Sequence, residues 1–150
     1  MNDDRWMQKA VELSWECPPS EAAFAVGAVI VDANGDEIAT GYSRETDSKV
    51  HAEEAALAKV PADDPRLPGA TMYSTLEPCS QRASRPTPCA QLIIKSGIKR
   101  CVIAWREPDL FVTGVVGVEQ MRDAGVEVVE LPAFAEAALA PNKHLNLGGS

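Results

Sequence analysis

The run at 24–31, Phe24-Ala25-Val26-Gly27-Ala28-Val29-Ile30-Val31, confines this chain more than any other stretch. It carries no polar side chain, so neither of its faces can rest against water. A strand of that kind belongs inside a sheet covered on both sides. Gly27 within it points to close approach by another backbone or by a ligand. Asp32-Ala33-Asn34-Gly35-Asp36 follows as a turn, with Asn-Gly its strongest signal, and 37–42 returns as the second strand of a hairpin. A second buried strand is expected at 100–105, Arg100-Cys101-Val102-Ile103-Ala104-Trp105.

Helices to cover such a sheet are spaced along the chain. The first, at 4–16, can be capped by Asp3 or Asp4, sets Trp6, Ala10, Val11, Leu13 and Ser14 near helical spacing, and stops at Pro18-Pro19. A helix at 52–59 is rich in Ala, Glu and Leu. After three prolines at 61–68 comes a short strand at 71–75, then an irregular stretch at 80–88 and a helix at 89–96 stopped by Gly97. Beyond 105 the pattern predicts a helix at 118–124 stopped by Gly125, a strand at 126–131, a helix at 132–140 and a fraying Gly-Gly-Ser tail. Strands that alternate with helices after an opening hairpin give an α/β sheet of about five strands, partly parallel, with helices on both faces.

A chain of 150 residues, 45% apolar and 24% charged, makes one domain with a real core. No run approaches a membrane span, and the start, with Asp3 and Asp4, lacks the apolar region of a signal peptide, so a cytoplasmic location is expected. Four cysteines there read as thiols or metal ligands rather than disulfides. The net charge of −8 opposes a broad interface with a nucleic acid. A small anionic substrate remains compatible if a pocket is locally basic, and Arg82 and Arg85 are the candidates for that.

Three side chains carry metal-binding chemistry: His51, which opens His51-Ala52-Glu53-Glu54, Cys79 after Pro78 and Cys89 after Pro88. An imidazole and two thiolates fill three corners of a tetrahedral zinc site. The fourth is left to water, which is what separates a catalytic zinc site from a closed structural one. Glu53 adds a carboxylate beside that water without being needed as a ligand. Residues two apart on a helix diverge by about 200°, which opposes shared chemistry. A helix-capping residue is not yet helical, so His51 is expected at the very start of the helix. Helix starts near His51 and Cys89 would add positive potential and keep the thiolates ionised. Cys101, inside an apolar strand, reads as a core thiol. Cys17 has no visible role, His144 and Glu54 read as solvated, and Glu77 either faces the site or braces the loop.

From about 23 to 131 the chain resembles the cytidine-deaminase superfamily, and within it most of all the pyrimidine deaminases of riboflavin biosynthesis. The zinc-deaminase signature is H-x-E with a later P-C-x-x-C. Its first half is met by His51-Ala52-Glu53. Its second is stretched, because residues 80–88 separate the two cysteines. Further matching pieces are Val26-Gly27-Ala28-Val29-Ile30-Val31, the run Gly69-Ala70-Thr71-Met72-Tyr73-Ser74-Thr75-Leu76-Glu77-Pro78-Cys79-Ser80, Pro86-Thr87-Pro88-Cys89, and 104–114. The long inter-cysteine loop with Arg and Pro is the mark of the riboflavin branch.

The resemblance implies a three-layer α/β/α sandwich around a central mixed sheet, Zn2+ held by His51, Cys79 and Cys89, and Glu53 as proton shuttle in hydrolytic deamination. Zinc lowers the pKa of water from 15.7 to about 7, and a carboxylate then moves protons to the ring and to the leaving amine. Backbone carbonyls at 75–77 are expected to hold the exocyclic amine. That makes Thr75, Leu76 and Glu77 substrate-binding candidates, alongside Phe24, Arg82 and Arg85. A homodimer and a small heterocyclic amine substrate are also implied.

Departures from the pattern bear on substrate. Relatives usually carry Asn-Pro where this chain reads Ala23-Phe24-Ala25, and their inter-cysteine loop carries His and Gly where this one reads Ser80-Gln81-Arg82-Ala83-Ser84-Arg85. The reductase domain of many relatives has no counterpart in these residues. Deamination of another ring, such as cytosine, cytidine, deoxycytidylate, guanine or a specialised metabolite, is therefore an alternative. A non-catalytic zinc module is a further one, and it would need Cys17, Cys101 or His144 as fourth ligand.

Overall fold

The computed structural model describes residues 3–18, 24–47, 49–77, 89–105 and 117–145. The elements run α1 (Asp3–Ser14), β1 (Gly27–Val31), β2 (Glu37–Tyr42), α2 (Ala52–Ala58), β3 (Thr71–Leu76), α3 (Cys89–Ser96), β4 (Arg100–Trp105), α4 (Gly117–Asp123), β5 (Glu127–Glu130) and α5 (Ala135–Leu139). Short 3-10 turns lie at Leu67–Gly69, Pro132–Phe134 and Ala140–Leu145. Five strands form one sheet in the order β2-β1-β3-β4-β5. β1 is antiparallel to β2 and β3, whereas β3, β4 and β5 are parallel, as a hairpin followed by β-α-β crossovers requires. The partly parallel sheet of about five strands expected from the pattern, and the three-layer α/β/α sandwich that the resemblance implies, are thus the fold observed.

Helices cover both faces. On one, Trp6, Met7 and Ala10 of α1 and Ala138 of α5 pack against Val29, Val31, Tyr73, Val102 and Ala104. On the other, Ala52 and Ala56 of α2, Ala90 and Ile93 of α3, and Val118 and Met121 of α4 pack against Ala28, Ile30, Met72, Cys101 and Ile103. The two sets alternate along β1, β3, β4 and β5, as the pleat dictates. Among the described residues no helix is long and apolar enough to cross a membrane.

Two glycines set how closely the helices approach. A Cβ on Gly27 would run into the backbone carbonyl of Ala10 on α1, and one on Gly41 into the backbone of Ala52 and Ala56 on α2. The close approach read at Gly27 is therefore that of a helix backbone. Gly41 matters more for function, because it seats the first turn of α2 directly on β2.

Regular pairing in β1 begins at Gly27 rather than at 24. Side chains have taken the earlier backbone groups: the Ala25 N–H donates to Asn142 Oδ1 at 2.6 Å and the Val26 N–H to Ser43 Oγ at 3.0 Å. The helix expected at 132–140 is divided into 3-10, α and 3-10 turns, and Pro141, which cannot donate to the ladder, stands just past the end of the α-helical part.

Candidate active site

The site is built where α2 begins. His51 is its N-cap, with φ −91° and ψ 160°, so its side chain leaves along a non-helical direction. The helix starts from its carbonyl, which accepts the Ala55 N–H at 2.9 Å. Its own N–H donates to Glu54 Oε1 at 3.3 Å. Glu54, read from sequence as a solvated helix residue, therefore ties down the backbone of His51. Glu53, on the first turn, is buried with 3% of its surface exposed.

Cys89 opens α3 and is fully buried. Its Sγ lies 3.3 Å from His51 Nδ1. Two ligands of one tetrahedral zinc, with Zn–N about 2.0 Å and Zn–S about 2.3 Å, stand about 3.5 Å apart. The imidazole and thiol are thus already at the spacing a shared zinc ion imposes. Cys79 lies outside the described residues, as do Arg82 and Arg85. Among the described residues no three His, Cys, Asp or Glu side chains gather as a metal site, so neither Cys17 nor Cys101 joins this pair.

β3 supplies the floor. Ser74, completely buried, faces α2: its Oγ donates to the Leu76 carbonyl at 2.8 Å and sits 3.3 Å from Glu53 Oε2. The hydroxyl has one proton. An ionised Glu53 competes with the Leu76 carbonyl for it, whereas a protonated Glu53 can donate to the hydroxyl. Thr75 points to the opposite face, where its Oγ1 accepts the Gly27 N–H at 3.2 Å. Glu77 is buried and braced: its N–H donates to the Trp105 carbonyl at 3.0 Å, and its Oε2 accepts the Val118 N–H at the start of α4 at 2.7 Å. These contacts tie Glu77 to the ends of β4 and α4.

Phe24 is buried and packs edge-on against Trp105, with ring centroids 5.8 Å apart and planes at 85°. Cys101 is a core thiol, as read from the sequence. Burial pushes its pKa up, and the Glu53 and Glu77 carboxylates add to that. Cys17, given no role above, donates to the Val26 carbonyl at 3.5 Å, and burial raises its pKa as well. His144 has no described side chain. Ser74 and Trp105 escaped the reading of the sequence, although strand alternation could have flagged Ser74, which shares a face with Met72 and Leu76. An open groove of about 440 Å³ among Arg5, Trp6, Lys9 and Gly35-Asp36-Glu37 lies towards the other end of β1, away from this cluster.

The start of α2 thus brings an imidazole to 3.3 Å from a buried thiol, with a buried carboxylate two residues further on. The sequence profile described as the cytidine and deoxycytidylate deaminase zinc-binding region matches residues 1–105, and the chain belongs to that family. It is 43% identical over 140 residues to the diaminohydroxyphosphoribosylamino-pyrimidine deaminase of Schizosaccharomyces pombe, covering 92% of this chain and 34% of that protein. To riboflavin biosynthesis protein RibD of Aquifex aeolicus it is 45% identical over 103 residues, 69% of this chain and 27% of the relative. Among solved structures, Acinetobacter baumannii RibD superposes with a TM-score of 0.78 at 33% identity, over 94% of this chain and 38% of that one. A C-terminal deletion mutant of the Aspergillus oryzae Rib2 deaminase gives 0.74 at 26% identity, over 96% of each chain. The chain spans about a third of the length of the curated relatives it matches.

Proposed function

We propose that this chain catalyses hydrolytic deamination of a small aminopyrimidine of the riboflavin-pathway type, with zinc held by His51, Cys79 and Cys89. The observation that carries the reading is the 3.3 Å separation of His51 Nδ1 and Cys89 Sγ with Glu53 buried on the same turn of α2. Identity of 43% to a protein named for deamination of such a pyrimidine supports the substrate class.

Bound zinc would supply a Lewis acid that brings the pKa of water to about 7. Glu53 does the proton work. A carboxylate oxygen takes a proton from the attacking water, passes it to the ring nitrogen, and finally protonates the amine that leaves as ammonia. The balance is one C–N bond broken and one C–O bond formed, with water consumed. Ser74, itself bonded to the Leu76 carbonyl, stands beside that carboxylate, and Glu54 holds the His51 backbone. Arg82 and Arg85 would meet a substrate phosphate. The working form is a cytoplasmic homodimer.

Ammonia release across aminopyrimidines, cytosine, cytidine, deoxycytidylate and guanine tests the reading. The expected outcome is turnover of an aminopyrimidine that is abolished by chelation and restored by zinc. Turnover that survives complete removal of the metal would sink it. Sedimentation velocity tests the dimer, for which a monomer at assay concentration is the contrary result.

Phe24 favours a second reading of the substrate. Where relatives carry Asn-Pro, this chain places an aromatic ring against a tryptophan. A ring other than the riboflavin intermediate is then the substrate, and the same panel separates the two.

A further inference from the structure

Trp105 ends β4 directly opposite Leu76, the last residue of β3. The pleat turns the side chains of Cys101, Ile103 and Trp105 on β4, and of Met72, Ser74 and Leu76 on β3, towards the face that carries α2 and α3. Phe24, Val26, Ala28 and Ile30 do the same on and before β1, and the apolar members of this set pack with one another, while the partly buried Trp105, at the strand end, also touches the apolar set under α1 and α5. Because β1 runs antiparallel to β3, Phe24 lies at the same end of the sheet as Leu76 and Trp105. That is the face and the end where His51, Glu53 and Cys89 converge.

Among the described residues the buried indole N–H of Trp105 has no hydrogen-bond partner. Buried indole nitrogens normally find one, so an orphan of this kind calls for an explanation. The surroundings are fixed rather than yielding. The Trp105 carbonyl receives the Glu77 N–H, and its ring meets Phe24 edge to face. Phe24 and its neighbours are pinned in turn: Arg44 Nη1 donates to the Phe24 carbonyl at 3.1 Å, Asn142 Nδ2 donates to the Ala25 carbonyl at 3.0 Å, and Ser43 Oγ accepts the Val26 N–H. A rigid aromatic wall with one unspent donor suits a flat ring that presents an acceptor.

The geometry points to Trp105 as a specificity-determining residue, whose indole N–H donates to a ring carbonyl oxygen of the substrate while Phe24 bounds the ring. This rests on the deaminase reading given above and adds to it the group that selects an oxo-substituted aminopyrimidine over one without the carbonyl.

The test measures binding, so that it does not depend on turnover. Calorimetry on the zinc-loaded chain, in a Glu53→Gln background that spares the ligands from reaction, compares two matched pairs: cytosine with 4-aminopyrimidine, and 2-aminopyrimidin-4-one with 2-aminopyrimidine. Trp105→Phe keeps an aromatic ring and removes the N–H. It is expected to weaken the oxo member of the favoured pair about tenfold and to leave its partner within about twofold. Phe24→Leu keeps the N–H and removes a ring, and should weaken both members alike. Equal losses on both members in Trp105→Phe, or no loss on either, would overturn the assignment, as would a wild-type chain that binds neither ring. Wild-type protein that binds the oxo ring selectively through Trp105 but releases no ammonia from it would overturn the deaminase reading alone.

Discussion

The two faces of the sheet differ in what they bury rather than in how they pack. Under α1 and α5 the interior is mostly apolar side chains, among them Trp6, Met7, Val29 and Val102; its buried hydroxyls, Ser14 and Thr75, are hydrogen-bonded to backbone, and the charged groups stay at the rim. There Asp3 receives both a bidentate Arg100 and the Tyr73 hydroxyl, so each polar atom has a partner within the fold. Under α2, α3 and α4 the interior holds Glu53, Ser74 and Cys89, and the orphan N–H of Trp105 lies at the sheet end that borders it. Burying a carboxylate costs far more than burying a methylene. A chain that keeps one face free of such groups and concentrates them on the other has put them where a task, not stability, retains them.

Separating activity from stability is the sharpest way to break that comparison. Glu53→Gln should lower kcat about 10²- to 10⁴-fold, or about 3–5 kcal/mol of barrier, while zinc content and melting temperature stay at or above wild-type values. Ammonia release, metal analysis and thermal unfolding on the same sample check this together. Near-wild-type turnover would remove Glu53 from the mechanism, and a large loss of stability would make it a structural residue.

Met7→Ala is the mirror experiment. Met7 is fully buried under α1. Deleting its side chain should cost about 2–5 kcal/mol in denaturant unfolding, with KM unchanged and kcat reduced only by the unfolded fraction. A specific change in KM would mean that the two faces communicate.

The paired glycines refine the same point at smaller scale. Gly27→Ala and Gly41→Ala both push a helix backbone off the sheet, and each should cost about 1–3 kcal/mol. Gly27 bears on α1 and should affect stability alone. Gly41 bears on α2, the helix that begins at His51 and carries Glu53, so activity of its folded fraction should also fall. Equal specific activity in the two variants would contradict the placement of the chemistry on α2.

Much of this division is legible in the amino-acid order alone. The limits of β2, α3 and β4 follow from apolar runs and periodicity bounded by turn residues and glycine. His51 and Glu53 stand out because a ligand and a carboxylate two apart make sense only at a helix start. Other features depend on pairings between distant residues. Asn142 reaches Ala25 across 117 positions, and Ser74 meets Glu53 only once α2 lies on the sheet. Local pattern carries no trace of such contacts, and that is why it starts β1 at 24 and leaves Glu54 in solvent. Trp105 is hidden for another reason: an aromatic residue at the end of an apolar strand reads as core until its nitrogen is found without a partner.

The rim of the α1 face gives the smallest and most pH-sensitive effect. Arg100 beside Asp3 holds that carboxyl below its ordinary value of 3.8, helped by the Tyr73 hydroxyl and opposed by partial burial. A carboxyl whose folded pKa is depressed contributes stability above the unfolded value and loses it as the pH falls through the folded one. Asp3→Asn should therefore cost about 1 kcal/mol at neutral pH, a modest figure because the pair is partly exposed and screened. The gap between variant and wild type should close as the pH is taken below the ordinary carboxylate value, and should shrink in high salt. Urea unfolding at neutral and acid pH measures it. Activity per folded molecule should not move at either pH if the chemistry belongs to the opposite face, and a shift in specific activity at neutral pH would show that anchoring α1 also shapes the site.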